Sequence, residues 1–341
     1  MKKLIHITDL YHPHNDPDDH FDLAQIYSLV KSGEIELCQI IIDYPTESAE
    51  GDPALCAAAQ LNELVGKLIP AAVGTDVKKY RGKPELWKDA PSADVKAPDR
   101  IIEILRSSDE PVYITIVGGC LDTAIALVRA PEVFREKCAG IVLNAGSSVN
   151  TAQKEWNVAL GCREYAEIFR APCPVFWNPC FDDLTDYAAD RGVYKTFWKF
   201  RMREVFERIS DPLRAYFLYM LTRTSDPAYL RYLRKPVDPA LLAEWGEKER
   251  NMWCTGSIFD IAGLTVSLDG SVLKKEDCPD PLFSYESISV TCDETGVTTW
   301  KTISDEENEK SRAKRYIFKV HDEKRYPSVM TEGLARTLGV L

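Results

Sequence analysis

The stretch that decides the reading is Asp9 to Asp22, DLYHPHNDPDDHFD. An apolar run, Leu4 to Thr8, precedes it and reads as a first β-strand. An amphipathic run, Phe21 to Val30, follows and reads as the first helix. Five carboxylates (Asp9, Asp16, Asp18, Asp19, Asp22) and three of the five histidines therefore fall on one strand-to-helix connection. In an open α/β sheet, ligands bind at such connections, outside the carboxyl ends of the strands. Carboxylates this dense repel one another, and a hard, oxygen-seeking cation such as Ca²⁺ or Mg²⁺ relieves the repulsion. The same residues would also serve as a solvated acidic turn, since Asp at a helix start caps N–H groups and complements the helix dipole. On local composition the two readings stand level.

Outward from this stretch, strand and helix alternate. Ile35 to Ile42 is nearly continuous in apolar residues, as expected for a parallel strand covered on both faces. Further strands are expected at Ala71 to Val73, Val112 to Val117, Ile141 to Leu143, Pro174 to Trp177 and Tyr316 to Val320, with a hairpin over Ile288 to Cys292 and Val297 to Lys301. Helices are expected over Pro53 to Leu68, Pro98 to Arg106, Leu121 to Val128 and Val329 to Leu338, and an Asp-started one within Ser257 to Ser267. Thr75 to Lys96 is polar and reads as a surface excursion that would suit a lid. The pattern predicts one three-layer α/β domain over 1–341, its mostly parallel central sheet flanked by helices, with a mostly helical cap at about 187–250.

Composition narrows the function. A chain of 341 residues with 45% hydrophobic and 28% charged content is ordinary for a globular protein. A formal net charge of −11 argues against a nucleic-acid partner. Ten cysteines form no close CxxC pair and read as small buried hydrophobes in a reducing compartment. The basic start MKKLIHITDL meets Asp within a few residues, so no signal peptide is expected, and no stretch is long enough to span a membrane. Cytoplasmic residence follows as the default expectation.

Polar groups recur after the apolar strands: Asp9 and the Asp16/Asp18/Asp19 group, Asp43, Gly118 to Asp122, Asn144, then Asn150, Glu155 and Asn157, then Asn178 and Asp182, and late in the chain Asp260. If the strands are parallel, all share one rim of the sheet. Carboxylates and amides without basic partners suit a metal and a polyhydroxylated ligand such as a sugar. Taken singly, Asn144 and Asn178 read as turn residues, Asp260 as an N-cap and Glu155 as a helix-start residue.

These groups, in this order, resemble the nucleoside hydrolase superfamily, in a divergent form close to the inosine-uridine preferring nucleoside hydrolases. The resemblance rests on Asp9, the NDPDD segment with its paired Asp18 and Asp19, and the turn Gly118 to Asp122. It also rests on Asn150 with Glu155, Trp156 and Asn157, on IPAAVG (Ile69 to Gly74), and on Asp260. It covers residues 4 to about 180 and resumes near 255. It implies one Ca²⁺ held by Asp9, Asp19, Asp260 and the Leu121 carbonyl, with Asp18, Asn150, Glu155 and Asn157 gripping a ribose and Asp43 the nearest candidate after the second strand. Asp9 would be the general base. The family's leaving-group His, placed just before the late Asp, is matched by Phe259, which cannot donate a proton. YHPH, an insertion relative to the family, offers His14 and then His12 as replacement acids, with His20 third.

The expected activity is metal-dependent hydrolysis of the N-glycosidic bond of a ribonucleoside or related riboside, through an oxocarbenium-like transition state. Two alternatives stand beside it. One is a sugar- or nucleoside-binding protein impaired in turnover, motivated by Phe259; the other is a hydrolase of another glycoside, motivated by the aromatic-rich middle region. The expected partner is a small-molecule riboside or sugar. The resemblance also allows a homodimer or homotetramer.

Overall fold

Strand β1 (Lys2–Thr8) is an interior strand of a nine-stranded sheet, paired with a parallel neighbour on each side. The computed structural model describes residues 1–10, 17–44, 54–150, 153–185, 191–311 and 313–341. Along β1, side chains alternate between two cores: Leu4 joins one, Ile5 and Ile7 the other. Strand β2 (Ile35–Ile42) does the same, sending Ile40 and Ile42 to one core and Ile41 to the other. Both faces are thus buried, which is why these strands are almost uniformly apolar rather than alternating with polar residues.

The remaining strands are β3 (Ala71–Val73), β4 (Val112–Ile116), β5 (Cys138–Asn144), β6 (Val175–Asn178), β7 (Trp198–Arg201), β8 (Glu249–Met252), β9 (Leu264–Val266), β10 (Val272–Lys274), β11 (Phe283–Cys292), β12 (Thr298–Thr302) and β13 (Arg315–Val320). The large sheet has the order β12-β11-β13-β6-β5-β4-β1-β2-β3. From β3 across to β13 every neighbouring pair is parallel; β11 and β12 add an antiparallel hairpin at one edge. The chain winds outward from β1 through β2 to β3, then returns to set β4 on the other side of β1. The order therefore reverses between β1 and β4. Connections leave this point in opposite directions, and a crevice opens at the strands' carboxyl ends.

The first helix runs Pro17–Lys31, with proline in its first turn and Asp18 and Asp19 beside the dipole's positive end. The middle region is not a separate layer over the sheet. It combines short helices with the antiparallel pair β7–β8, and its helix Asp211–Leu221 packs into the same core as β1. Phe217 stacks on Phe21 of the first helix with ring centroids 4.0 Å apart. The excursion after β3 likewise carries its own anchors. Tyr80 and Trp87 are buried and form a satellite core with Leu121 and Ile125 of the helix Leu121–Arg129. Among the described residues, no helix is long and apolar enough to cross a membrane.

Candidate functional site

The crevice holds a cavity of about 690 Å³. One side is acidic. Asp9, just past β1, and Asp18 and Asp19, in the first helical turn, all line it. Asp9 and Asp19 are 5% and 2% exposed, so these carboxylates sit largely out of water. Asp19 is held from β1: the Thr8 hydroxyl donates to its Oδ2 and accepts from the Leu10 N–H at 3.2 Å.

The floor comes from the next strands. Val117 follows β4 and Asn144 ends β5, and both line the cavity. Asn144 donates through Nδ2 to Thr196 Oγ1 at 3.2 Å, while its buried Oδ1 accepts no hydrogen bond among the described residues. Asn157 donates through Nδ2 to the Val117 carbonyl at 2.7 Å and the Asn144 carbonyl at 3.2 Å. It thereby ties the ends of two neighbouring strands together. Apolar side chains of Phe181, Leu184 and Trp253 and the two thiols Cys180 and Cys254 also line the cavity. Trp156, 66% exposed, stands at the cavity together with Lys154.

Glu155 also lines this cavity, but its carboxylate is occupied by the protein. It caps the helix Trp156–Leu160, accepting from Asn157 N at 2.9 Å, Val158 N at 3.3 Å and Gly146 N at 2.8 Å. Burial raises its pKa, and those three backbone bonds oppose the rise. It is a buried cap, not the solvated helix-start residue that its composition suggests.

Several expected site residues lie elsewhere. Asn150 does not line the cavity; its amide clamps the Thr298 backbone, donating to the carbonyl and accepting from the N–H at 3.2 Å. Asp43 and Leu121 line a second, smaller cleft. There Asp43 accepts from Gly119 N at 2.5 Å. A Cβ at Gly118 would lie 2.7 Å from Asp9 N and 2.9 Å from Asp43 Oδ2, so only glycine lets this turn pass between the two. Asp260 requires a correction. The expected late helix begins at Thr255, not at Asp260, which lies near the helix end and ion-pairs with Lys275. Phe259 is a fully buried core residue, so it does not occupy a leaving-group position. The residues that open this helix onto the cavity are Trp253 and Cys254. His12 and His14 lie outside the described residues. His20 is buried, its ring 5.8 Å from that of Tyr216, and does not line the cavity.

The second cleft makes a prediction about pH. Asp122, buried there, accepts from Thr75 N at 2.9 Å and Thr75 Oγ1 at 2.6 Å, yet burial pushes its carboxyl up to about 6 from 3.8. An acid with a higher pKa when folded binds protons preferentially in the native state. Its contribution to stability is full below the unfolded pKa and is lost as pH rises through about 6. We expect Asp122 to add about 3 kcal/mol of stability as pH falls across that window. Asp122→Asn should flatten the trend. Urea denaturation of both proteins between about pH 4 and 7 measures it, and parallel slopes would refute the assignment.

Carboxylates from the end of β1 and the first helical turn, groups following β4 and ending β5, and the start of a late helix thus converge at the switch point of an open α/β sheet. This is the class of protein that binds small ligands at strand carboxyl ends. No family model matches the sequence, and no curated protein does. Solved structures do. A plant nucleoside hydrolase aligns over 98% of this chain and 99% of its own, with a TM-score of 0.56 at 15% identity. An inosine-guanosine nucleoside hydrolase aligns over 98% and 99%, with a TM-score of 0.54 at 16% identity. The type III effector protein XopQ, solved in complex with adenosine diphosphate ribose, aligns over 99% and 93%, with a TM-score of 0.51 at 13% identity. The chain has the nucleoside hydrolase fold, in a form far diverged in sequence.

Proposed function

We propose that the protein is a divalent-cation-dependent hydrolase that cleaves the N-glycosidic bond of a ribonucleoside or related riboside. The observation that carries this reading is the cavity at the switch point, lined both by the carboxylates Asp9, Asp18 and Asp19 and by the aromatic side chains Phe181 and Trp253. Such a cavity offers both hydroxyl acceptors and a stacking surface for a flat leaving group.

Among the described residues, no three acidic, imidazole or thiol groups form a ready cation cage. The donors present are nevertheless of the right kind. Asp9 and Asp19 supply buried carboxylates, and Asn144 Oδ1 is a buried acceptor with no described partner. The cation, Ca²⁺ in the expectation from the sequence, would supply a water of lowered pKa and orient vicinal sugar hydroxyls. Asp9 would serve as the general base that takes a proton from an attacking water. Asp18 and Asn157 Oδ1 hold the ribose hydroxyls. The carboxylate side of the cavity favours the positive charge that develops on the sugar. Protonation of the departing base is assigned to His14 or His12.

The test is a panel of purine and pyrimidine ribosides and nitrophenyl glycosides, with free base or nitrophenol quantified and cation content determined by elemental analysis. Cation-dependent release of base supports the reading; no release from any riboside, with cation bound, would sink it. A second reading, a riboside-binding protein without turnover, is favoured by one observation: no histidine lines the cavity among the described residues. Calorimetry that finds riboside affinity where the panel finds no product would select that reading.

A further inference from the structure

Two of the expected sugar contacts are taken up by the protein itself. Asn150 clamps the Thr298 backbone, and the Glu155 carboxylate is consumed by three backbone N–H groups. In contrast, Asn144, which reads in the sequence as a turn residue, ends β5, lines the cavity and is 2% exposed. The orientation of its amide follows from its neighbours. The Thr196 hydroxyl donates to the Pro179 carbonyl at 3.0 Å, so towards Asn144 it can only accept. The NH₂ group must therefore face Thr196, at 3.2 Å, with Cys180 Sγ 3.5 Å from the same nitrogen. Turning the amide over would set its oxygen against the Thr196 lone pairs. Oδ1 is thus left buried, with no partner among the described residues. The backbone at Asn144 is also held, because Asn157 Nδ2 donates to its carbonyl at 3.2 Å. A buried acceptor without a donor is costly, and native proteins rarely keep one that neither ligand nor water satisfies.

We infer that Asn144 Oδ1 accepts a hydrogen bond from one hydroxyl of the bound sugar, and so selects for ligands that carry that hydroxyl. This rests on the riboside reading above and adds a specificity-determining residue to it. A hydroxyl has a proton to give and lone pairs to spare, so it can satisfy Oδ1 while other groups hold its oxygen. A ligand that lacks the hydroxyl leaves Oδ1 unpaired, and sites of this kind reject such analogues strongly. An amide oxygen is also a donor of the kind a hard cation uses. The groups bonded to Asn144, however, are the neutral Thr196, Cys180 and Asn157. A sugar hydroxyl suits those surroundings better than an ion that seeks several charged oxygens.

The test compares adenosine and uridine with their 2′-, 3′- and 5′-deoxy analogues on the full-length protein. The readout is kcat/KM for compounds that are cleaved and calorimetric Kd for compounds that are only bound. The parent should prefer the parent riboside over one of the three analogues by at least about tenfold. Asn144→Leu should lose that one preference and keep any others, a split that a merely structural role would not produce. Asn144→Ala repeats the comparison if the Leu variant does not fold, and thermal melting checks both. Ca²⁺ affinity, measured alongside, should not change. Three results overturn the proposal while leaving the hydrolase reading intact. They are a parent indifferent to all three hydroxyls, a folded variant that keeps every preference, and a fall in Ca²⁺ affinity, which would make Oδ1 a cation ligand. A parent that neither binds nor cleaves any riboside overturns both.

Discussion

Asp9→Asn is expected to lower kcat for riboside hydrolysis by about 10³-fold or more while the protein stays folded. The substitution keeps the size of the side chain and removes its ability to accept a proton from water. Asp9 lines the cavity where β1 ends and is 5% exposed. If it acts mainly as base, KM should move little and the loss should fall on kcat. If it acts mainly as a cation donor, affinity for the ion should fall in calorimetry and excess cation should restore part of the rate. A variant that hydrolyses ribosides at the parent rate would remove Asp9 from the chemistry.

Glu155→Ala is expected to lose about 3 kcal/mol of stability, before any question of ligand. Three backbone N–H groups, of Gly146, Asn157 and Val158, would lose their acceptor in a place water reaches poorly. Glu155→Gln should fall between Ala and the parent. Its single oxygen serves one side of the cap, and its new NH₂ faces N–H donors on the other. Because Asn157 sits in the capped turn and ties the ends of β4 and β5, loosening Glu155 should also disturb the cavity floor. Urea denaturation, paired with calorimetry of riboside binding, distinguishes the roles. A Gln variant with parental stability but weak ligand binding would make Glu155 a ligand contact rather than a cap.

The fold was legible because its signal is repeated along the chain. Apolar strands such as IELCQIII, each followed by a helical stretch, require burial on both faces, and only a sheet covered by helices provides that. The acidic connection was legible for the same local reason: Asp9, Asp18 and Asp19 are bound to one strand end and one helix start whatever the rest of the chain does. The late helix was not legible to the residue. Asp260 looks like an N-cap, but a helix start depends on where packing sets the preceding strand, and here the helix begins at Thr255. With that shift Phe259 falls into the core and Cys254 into the cavity.

Sequence alone determined the α/β class and placed the acidic connection at the carboxyl end of the first strand, because these follow from periodicity and from neighbours in the chain; the switch point came only with the strand order. Only the tertiary structure decided what each polar group does there. Asn150 clamps Thr298, 148 residues away, Lys275 holds Asp260, and Glu155 is consumed by backbone N–H groups. A carboxylate or amide reads the same in sequence whether it awaits a ligand or is satisfied by the protein. The difference is made by partners that only folding brings within hydrogen-bonding distance.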